Sequence, residues 1–321
     1  MDRGSFDHWL DAADRRHSAD TTAERSPEAL FGVTRARSEM LCDALGVATL
    51  AELAAHPYVL RAQSIHQRAQ AIGHDLGPGV AWSQLFADAP LASYQQNPEQ
   101  FRLDFGPVYY RGRLDGTARV LIVGQDPAPN ELIGHRAFVG ASGQRIQALL
   151  RRIGMTHDYL MVNTFIYPVF GQFNGRLRQL SREGDILDYR NRMFDYIDAN
   201  NPIDVIIAAG AAAQDADARW QGSVNHIVHN IAHPSARDPD LVADTWNAAL
   251  LAIRDNLTPQ TGAQLDDSLF GSPMTDEDYE PIPRYDLPFG MPEWHGVGSH
   301  ASRGRLSSGH TDHTRIIWES T

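Results

Sequence analysis

The sequence predicts an α/β fold: a three-layer αβα arrangement around a central, mainly parallel four-stranded sheet, with a helical N-terminal extension and a loop-rich C-terminal one. Three observations predict it. A chain of 321 residues with 42% apolar side chains can bury a sizeable core in one large domain with additions. Four short apolar runs recur between residues 118 and 234. Helix-length amphipathic segments separate them, which is the rhythm of parallel strands covered by helices on both faces.

Taken in order, the elements are these. Up to about residue 80, Ala, Leu, Arg and Glu mix with apolar positions at helical spacing, as in "EALFGVTRARSEMLCDALGVATLAELAAHPYVL". Residues 1–100 are therefore expected to form the helical extension. The α/β domain is expected over 101–257. Its strands are "ARVLIVG", "DYLMVNTF", "DVIIAAG" and the shorter "HIVHNIAHP". Its helices are "SGQRIQALLRRIG", starting near Gln144, then "REGDILDYRNRMFDYIDANN" and "LVADTWNAALLAIRDNL". Residues 258–321 turn Pro-, Gly- and Asp-rich without periodicity, an acidic extension in which Trp294 and Trp318 suggest that some of it packs. No internal repeat is visible.

Composition excludes several classes. No run reaches the ~18 apolar residues of a membrane span, and "MDRGSFDHWLDAADRR" is too polar for a secretory signal, so the expected location is the cytoplasm. The single cysteine, Cys42, excludes an intrachain disulfide, a CxxC zinc site and a cluster needing four thiolates. Net charge is −12, and all 28 basic residues are Arg. Without Lys there is no Walker A loop and no Schiff-base chemistry. Between Gly134 and Arg192, nine Arg face four acidic residues, so a local basic face is compatible with an acidic total.

In open α/β sheets ligands bind beyond the carboxyl ends of the strands. Here those ends carry Gln125 and Asp126 after "VLIVG", Asn163 after "LMV" and His233 after "HNIA". A carboxylate, an amide and an imidazole converging on one crevice form a candidate site. Singly, each has an ordinary structural reading: Asp before Pro as a turn or cap, Asn as an Asx turn, His-Pro as a loop start. Between the first two strands, Phe138 sits among small residues before Gly140-Ala141-Ser142-Gly143, where the free N–H groups of a helix start attract a phosphate. There too the plain alternatives are a core Phe and an N-cap Ser.

The segments "GQDPAPNE", "AFVGASG", "LMVNTF", "VIIAAG" and "HPSAR" resemble, in order, spacing and strand context, the uracil-DNA glycosylase superfamily. The resemblance spans roughly residues 118–257. It implies a monofunctional hydrolase that cleaves the N-glycosidic bond of a flipped-out deoxyuridine in base excision repair, with uracil-containing DNA as substrate and uracil and abasic DNA as products. Asp126 would orient the attacking water and stabilise the cationic sugar, and His233 would hydrogen-bond O2 of the departing base. Asn163 would read the N3–H and O4 edge, Phe138 would stack on the ring, and Gln125 and Ala128 would line the same pocket. Ser142, Gly143, Ser235 and Ala236 would hold phosphates, and Arg237 falls where relatives place the side chain that fills the vacated stack.

The departures from the family pattern carry their own expectations. The best-known branch has Tyr after "GQDP" where this chain has Ala128, and its His is replaced by Pro129, which leaves exclusion of thymine's methyl group to other residues, with Pro129, Asn130 and Glu131 nearest. The "FVGASG" segment resembles branches that carry an iron–sulfur cluster, yet one cysteine cannot hold one; no metal and no cofactor is expected. A rival constellation is His226, His229 and His233 in "HIVHNIAH". On a helix they would share a face fit for zinc, whereas on a strand His229 and His233 lie on one side and His226 on the other. Two other functions stay open: a protein that grips uracil or abasic sites with little turnover, and an unrelated α/β hydrolase or nucleotide-binding module.

Overall fold

In the computed structural model, which describes residues 19–30, 33–60, 73–260, 273–275, 278–291 and 295, each apolar run becomes a strand. Val120–Gly124 (β2), Tyr159–Asn163 (β3) and Val205–Ala209 (β4) are buried at every position, because helices cover both faces. Ile227–Ile231 (β5) is an edge strand with mostly partly exposed side chains. The parallel strands run in the order β3-β2-β4-β5.

The sheet has five strands where the runs predicted four. The extra strand, Arg111–Gly112 (β1), pairs antiparallel with β3 at its edge. It is two residues long, without an apolar run, so periodicity could not reveal it. Its Gly112 has φ +102, and a Cβ there would collide with the Tyr159 carbonyl.

Alternation along the strands sorts the core into two layers. Val120 and Ile122, Tyr159 and Met161, Val205, Ile207 and Ala209, and Ile231 join one cluster. Helix α2 (Ala141–Arg152) adds Ile146, Leu149 and Leu150, and helix α6 (Pro239–Asn256) adds Trp246, Leu250 and Ile253, at the i, i+3, i+4 spacing of an apolar stripe. Trp246 is 1% exposed; truncating such a side chain costs about 3–5 kcal/mol. On the other side, helix α5 (Ala211–Asp217) packs on β4 and β2 and against α3 (Gly175–Arg182), which packs on α4 (Gly184–Asn200). Among the described residues no helix is long and apolar enough to cross a membrane.

The described residues form two compact units, one comprising residues up to 60 with 78–84, the other 73–77 with those from 85 onward. In the first, Arg35–Leu45 is capped by Thr34 and closed by Gly46 at φ +67, and Leu50–Ala55 starts with a Thr49–Glu52 capping box. These helices match the expected helical character of the leader.

The described residues 273–275, 278–291 and 295 lie in the second unit and pack on its core. Met274, Ile282 and Leu287 are buried, and Ile282 and Leu287 cluster with Val139. Asp286, fully buried, pairs with Arg113 at 2.6 Å and Arg111 at 3.7 Å and accepts a hydrogen bond from Tyr159 at 2.7 Å. Trp294 and Trp318, on which packing of this extension was expected, lie outside the described residues.

The Arg-rich stretch does not form the basic face its composition suggested. Arg136 pairs with Asp75, Arg151 with Glu280, Arg152 with Asp278 and Arg182 with Asp215, while Arg145 and Arg190 are buried. Most of that charge is spent inside the fold, where guanidinium forks satisfy carboxylates and carbonyls.

Candidate active site

The site is assembled at the carboxyl ends of β2, β3 and β4, where the chain crosses from one side of β2 to the other. β2 ends at Gly124, paired in register with Asn163 of β3. A Cβ on Gly124 would collide with both the Phe138 ring and Asn163 Oδ1. Gly124 is thus the floor on which the amide and the ring meet. Phe138 is buried, and its φ of +55 is one of two positive values at non-Gly residues among the described residues. Holding a bulky residue there costs on the order of 1–3 kcal/mol and survives only where neighbours over-determine it. Gly143 supplies that determination, since any Cβ on it would run into the Phe138 backbone.

Asp126 stands just beyond Gly124. Its Oδ1 accepts from Gln125 Nε2 at 2.9 Å and its Oδ2 from the Val169 N–H at 2.8 Å. Burial nonetheless dominates and raises its pKa from the ordinary 3.8 to about 6, against those two hydrogen bonds and the favourable charge of Arg102. The following loop is braced by Glu131 in helix α1 (Pro129–Gly134). Its buried carboxylate accepts from the N–H groups of Ala128 at 3.1 Å, Val139 at 3.1 Å and Gly140 at 3.2 Å. Glu131 therefore ties the loop after β2 to the Phe138 segment. Ala128 is exposed at the start of α1, and Pro129 beside it is exposed too.

His233 follows β5, which ends at Ile231, so the strand alternation expected to align it with His229 does not extend to it. Its Nδ1 accepts from the Ser235 N–H at 3.1 Å, which leaves the proton of the neutral ring on Nε2. Burial lowers its pKa and favours that neutral form. The turn is pinned on both sides: Thr245 Oγ1 accepts from the Ala232 N–H at 3.0 Å, Trp246 Nε1 donates to Ala232 O at 2.8 Å, and Arg145 Nη1 donates to Pro234 O at 2.9 Å. Gly210, at φ +92, lies against His233.

Helix α2 begins at Ala141, three residues earlier than the pattern suggested, because extended Gly140 serves as its N-cap. Ser142 is consequently in the first turn, and its hydroxyl meets that of Ser235 at 2.7 Å. Ser142, Ser235, Ala236 and Arg237 line one open cleft of about 360 Å³. The structure thus joins Gln125 to Asp126, Phe138 to Asn163 across Gly124, Gly143 to Phe138, and Ser142 to the His233 turn.

The model of the uracil DNA glycosylase superfamily matches residues 112–249. Residues 112–249 therefore resemble a uracil-DNA glycosylase superfamily domain, over less than half of the chain. Among individual curated proteins none matches the chain. That match points to glycosylase activity on DNA. The iron–sulfur cluster of some branches of the superfamily does not fit, since the chain's one cysteine, Cys42, cannot supply four thiolates. Among the described residues no three His, Cys, Asp or Glu are grouped to hold a metal, and His226 instead pairs with Asp198 at 2.9 Å.

Sequence reasoning missed the support behind Asp126. Val169 lies on the loop after β3, and segment 100–102 pins that loop through the bonds Arg102 N–H to Pro168 O and Phe170 N–H to Gln100 O, both 2.8 Å. A backbone donor has no residue signature. Nor did the pattern single out Arg145, which reads as the solvent face of a helix until the tail covers it.

Proposed function

We propose that this glycosylase is monofunctional and removes uracil from DNA by hydrolysis. The observation that carries the reading is Asp126: a carboxylate held on two sides at a strand tip, beside an amide and a ring that meet over a glycine. The flipped deoxyuridine enters with its ring against Phe138 and its N3–H and O4 edge toward Asn163, whose amide accepts from one and donates to the other. As the C1′–N1 bond lengthens, positive charge grows on the sugar and negative charge on the base. Ionised Asp126 stabilises the first and orients water on the face opposite the base. The Nε2–H of neutral His233 donates to O2 and stabilises the second. Water's oxygen bonds to C1′, its proton passes to Asp126 or solvent, the bond electrons leave with uracil N1, and N1 is protonated from water.

Ser142, Gly143, Ser235 and Ala236 would hold phosphates beside the target, and Arg237 would fill the vacated stack. Ala128 puts no ring beside C5, so 5-substituted uracils such as 5-fluorouracil and 5-hydroxymethyluracil are the candidate additional substrates.

The test uses end-labelled oligonucleotides carrying one uracil, with EDTA present. Wild type should leave alkali-labile sites, whereas Asp126→Asn and His233→Ala should bind the same DNA and lose about 10²–10⁴-fold in single-turnover excision. Binding without alkali-labile product from wild type would favour a uracil- or abasic-site binder, and near-normal excision by both variants would overturn the assignment.

A further inference from the structure

The family match ends at residue 249, yet the cleft beside His233 has a wall that comes from beyond it. Tyr279 lines that cleft with Ser142, Arg145, Pro234, Ser235 and Arg237. The segment that carries it is latched to the glycosylase domain at several points. Met274 and Asn247 exchange two hydrogen bonds, at 2.7 and 3.3 Å. Asp278 pairs with Arg152 at 3.0 Å and Glu280 with Arg151 at 2.7 Å, while the Glu280 N–H donates to Gln144 O at 3.0 Å. Tyr279 is held between these two ion pairs, its ring 5.9 Å from the Arg145 guanidinium. Arg145 in turn stacks 5.3 Å from Trp246 and bonds the carbonyl of Pro234. The strap is built onto α2 and reaches the turn that carries His233.

We propose that this strap is part of the DNA-binding surface, with Tyr279 contacting the phosphodiester backbone of the strand that carries the target nucleotide. The proposal rests on the glycosylase reading above. The cleft's chemistry fits that occupant: two hydroxyls 2.7 Å apart, the exposed Arg237 and a phenol border an open volume of about 360 Å³ on a chain of net charge −12. A phenol can donate to a phosphate oxygen and pack its ring on deoxyribose. It does so without adding positive charge, which separates its contribution from that of Arg237.

The measurement is equilibrium binding to a duplex containing a tetrahydrofuran abasic-site analogue, repeated across salt concentrations, with the full chain. Tyr279→Ala should weaken binding about tenfold with an unchanged salt slope, and Tyr279→Phe about threefold. With uracil DNA, Tyr279→Ala should raise the half-saturating concentration about tenfold while the saturating rate falls less than threefold. A 5-iodouracil placed beside the analogue should photo-crosslink within residues 278–280. Binding by Tyr279→Ala within twofold of wild type, or crosslinks confined to other segments, overturns the proposal even where excision is intact. Absence of uracil excision by a wild type that still binds the analogue through Tyr279 would instead overturn the uracil reading alone.

Discussion

Replacing Asp126 by Asn should make the protein more stable than wild type at neutral pH and comparatively less so in acid. Burial raises the Asp126 pKa from 3.8 to about 6, a shift of about two units, worth about 3 kcal/mol at 1.36 kcal/mol per unit. The folded state retains a proton that the unfolded chain has lost between those values, so this carboxylate's contribution to stability falls as pH rises from about 4 to about 6 and is fully unfavourable above. Asn titrates nowhere in this range. Its oxygen can keep one of the two present bonds, from Gln125 or from the Val169 N–H, and its NH₂ then faces a donor, a cost of about 1–2 kcal/mol that does not change with pH. That constant cancels when the two proteins are compared at two pH values. The stability of Asp126→Asn relative to wild type should therefore rise by about 2–3 kcal/mol between pH 4 and pH 7.5. Urea denaturation followed by Trp fluorescence reads it, with equal m-values as the control. Excision by wild type should lose activity as pH falls through about 6, since the ionised form is required. A stability difference constant to within 1 kcal/mol across that range would refute the buried-carboxylate argument.

Two further outcomes follow from packing. Gly143→Ala forces a methyl group into the Phe138 backbone, so Phe138 must leave its φ of +55; uracil excision should fall at least about tenfold, with a loss of about 1–3 kcal/mol of stability, measured by single-turnover kinetics and urea midpoints. Asp286→Ala leaves Arg111 buried without its carboxylate and should cost about 3–5 kcal/mol, whereas Asp286→Asn, which keeps an acceptor for Tyr159, should cost less in the same denaturation assay.

How much of this was legible depends on what each element is made of. β2, β3 and β4 announce themselves because burial on both faces demands continuous apolar runs, and a run that stops at Gly124, Val162 or Ile231 also marks where polar side chains begin. β1 is silent because two residues at a sheet edge need no apolar run. The candidate residues Gln125, Asp126, Asn163 and His233 were visible as side chains at strand ends and Phe138 as a ring before a helix start, whereas their supports were not. The N–H of Val169 is common to every residue type but Pro. Glu131 looks like the polar face of a short helix and is instead a buried brace for three amides. The charge of the Arg-rich stretch misleads for a related reason: composition counts charges, but only tertiary packing says which of them Asp75, Asp215, Asp278 and Glu280 neutralise.

The same residues explain why the site has the stability profile just described. On the proposed reading, a carboxylate that stabilises a sugar cation works best where water does not screen it, and burial that removes water is what raises its pKa. The hydrogen bonds from Val169 and Gln125 and the charge of Arg102 hold that rise to about 6, low enough for Asp126 to be mostly ionised at pH 7. A third donor would have lowered the pKa further and withdrawn charge from the reacting face. The strained Phe138 and the clearance at Gly124 and Gly143 follow the same logic, since each gives up local stability to bring a ring and an amide together before substrate arrives. Glu131 and the pinned His233 turn repay it with backbone hydrogen bonds made at a distance from the base. Rigidity in this site therefore comes from its surroundings, and a substitution in that support should lower excision by loosening geometry without touching the reacting atoms.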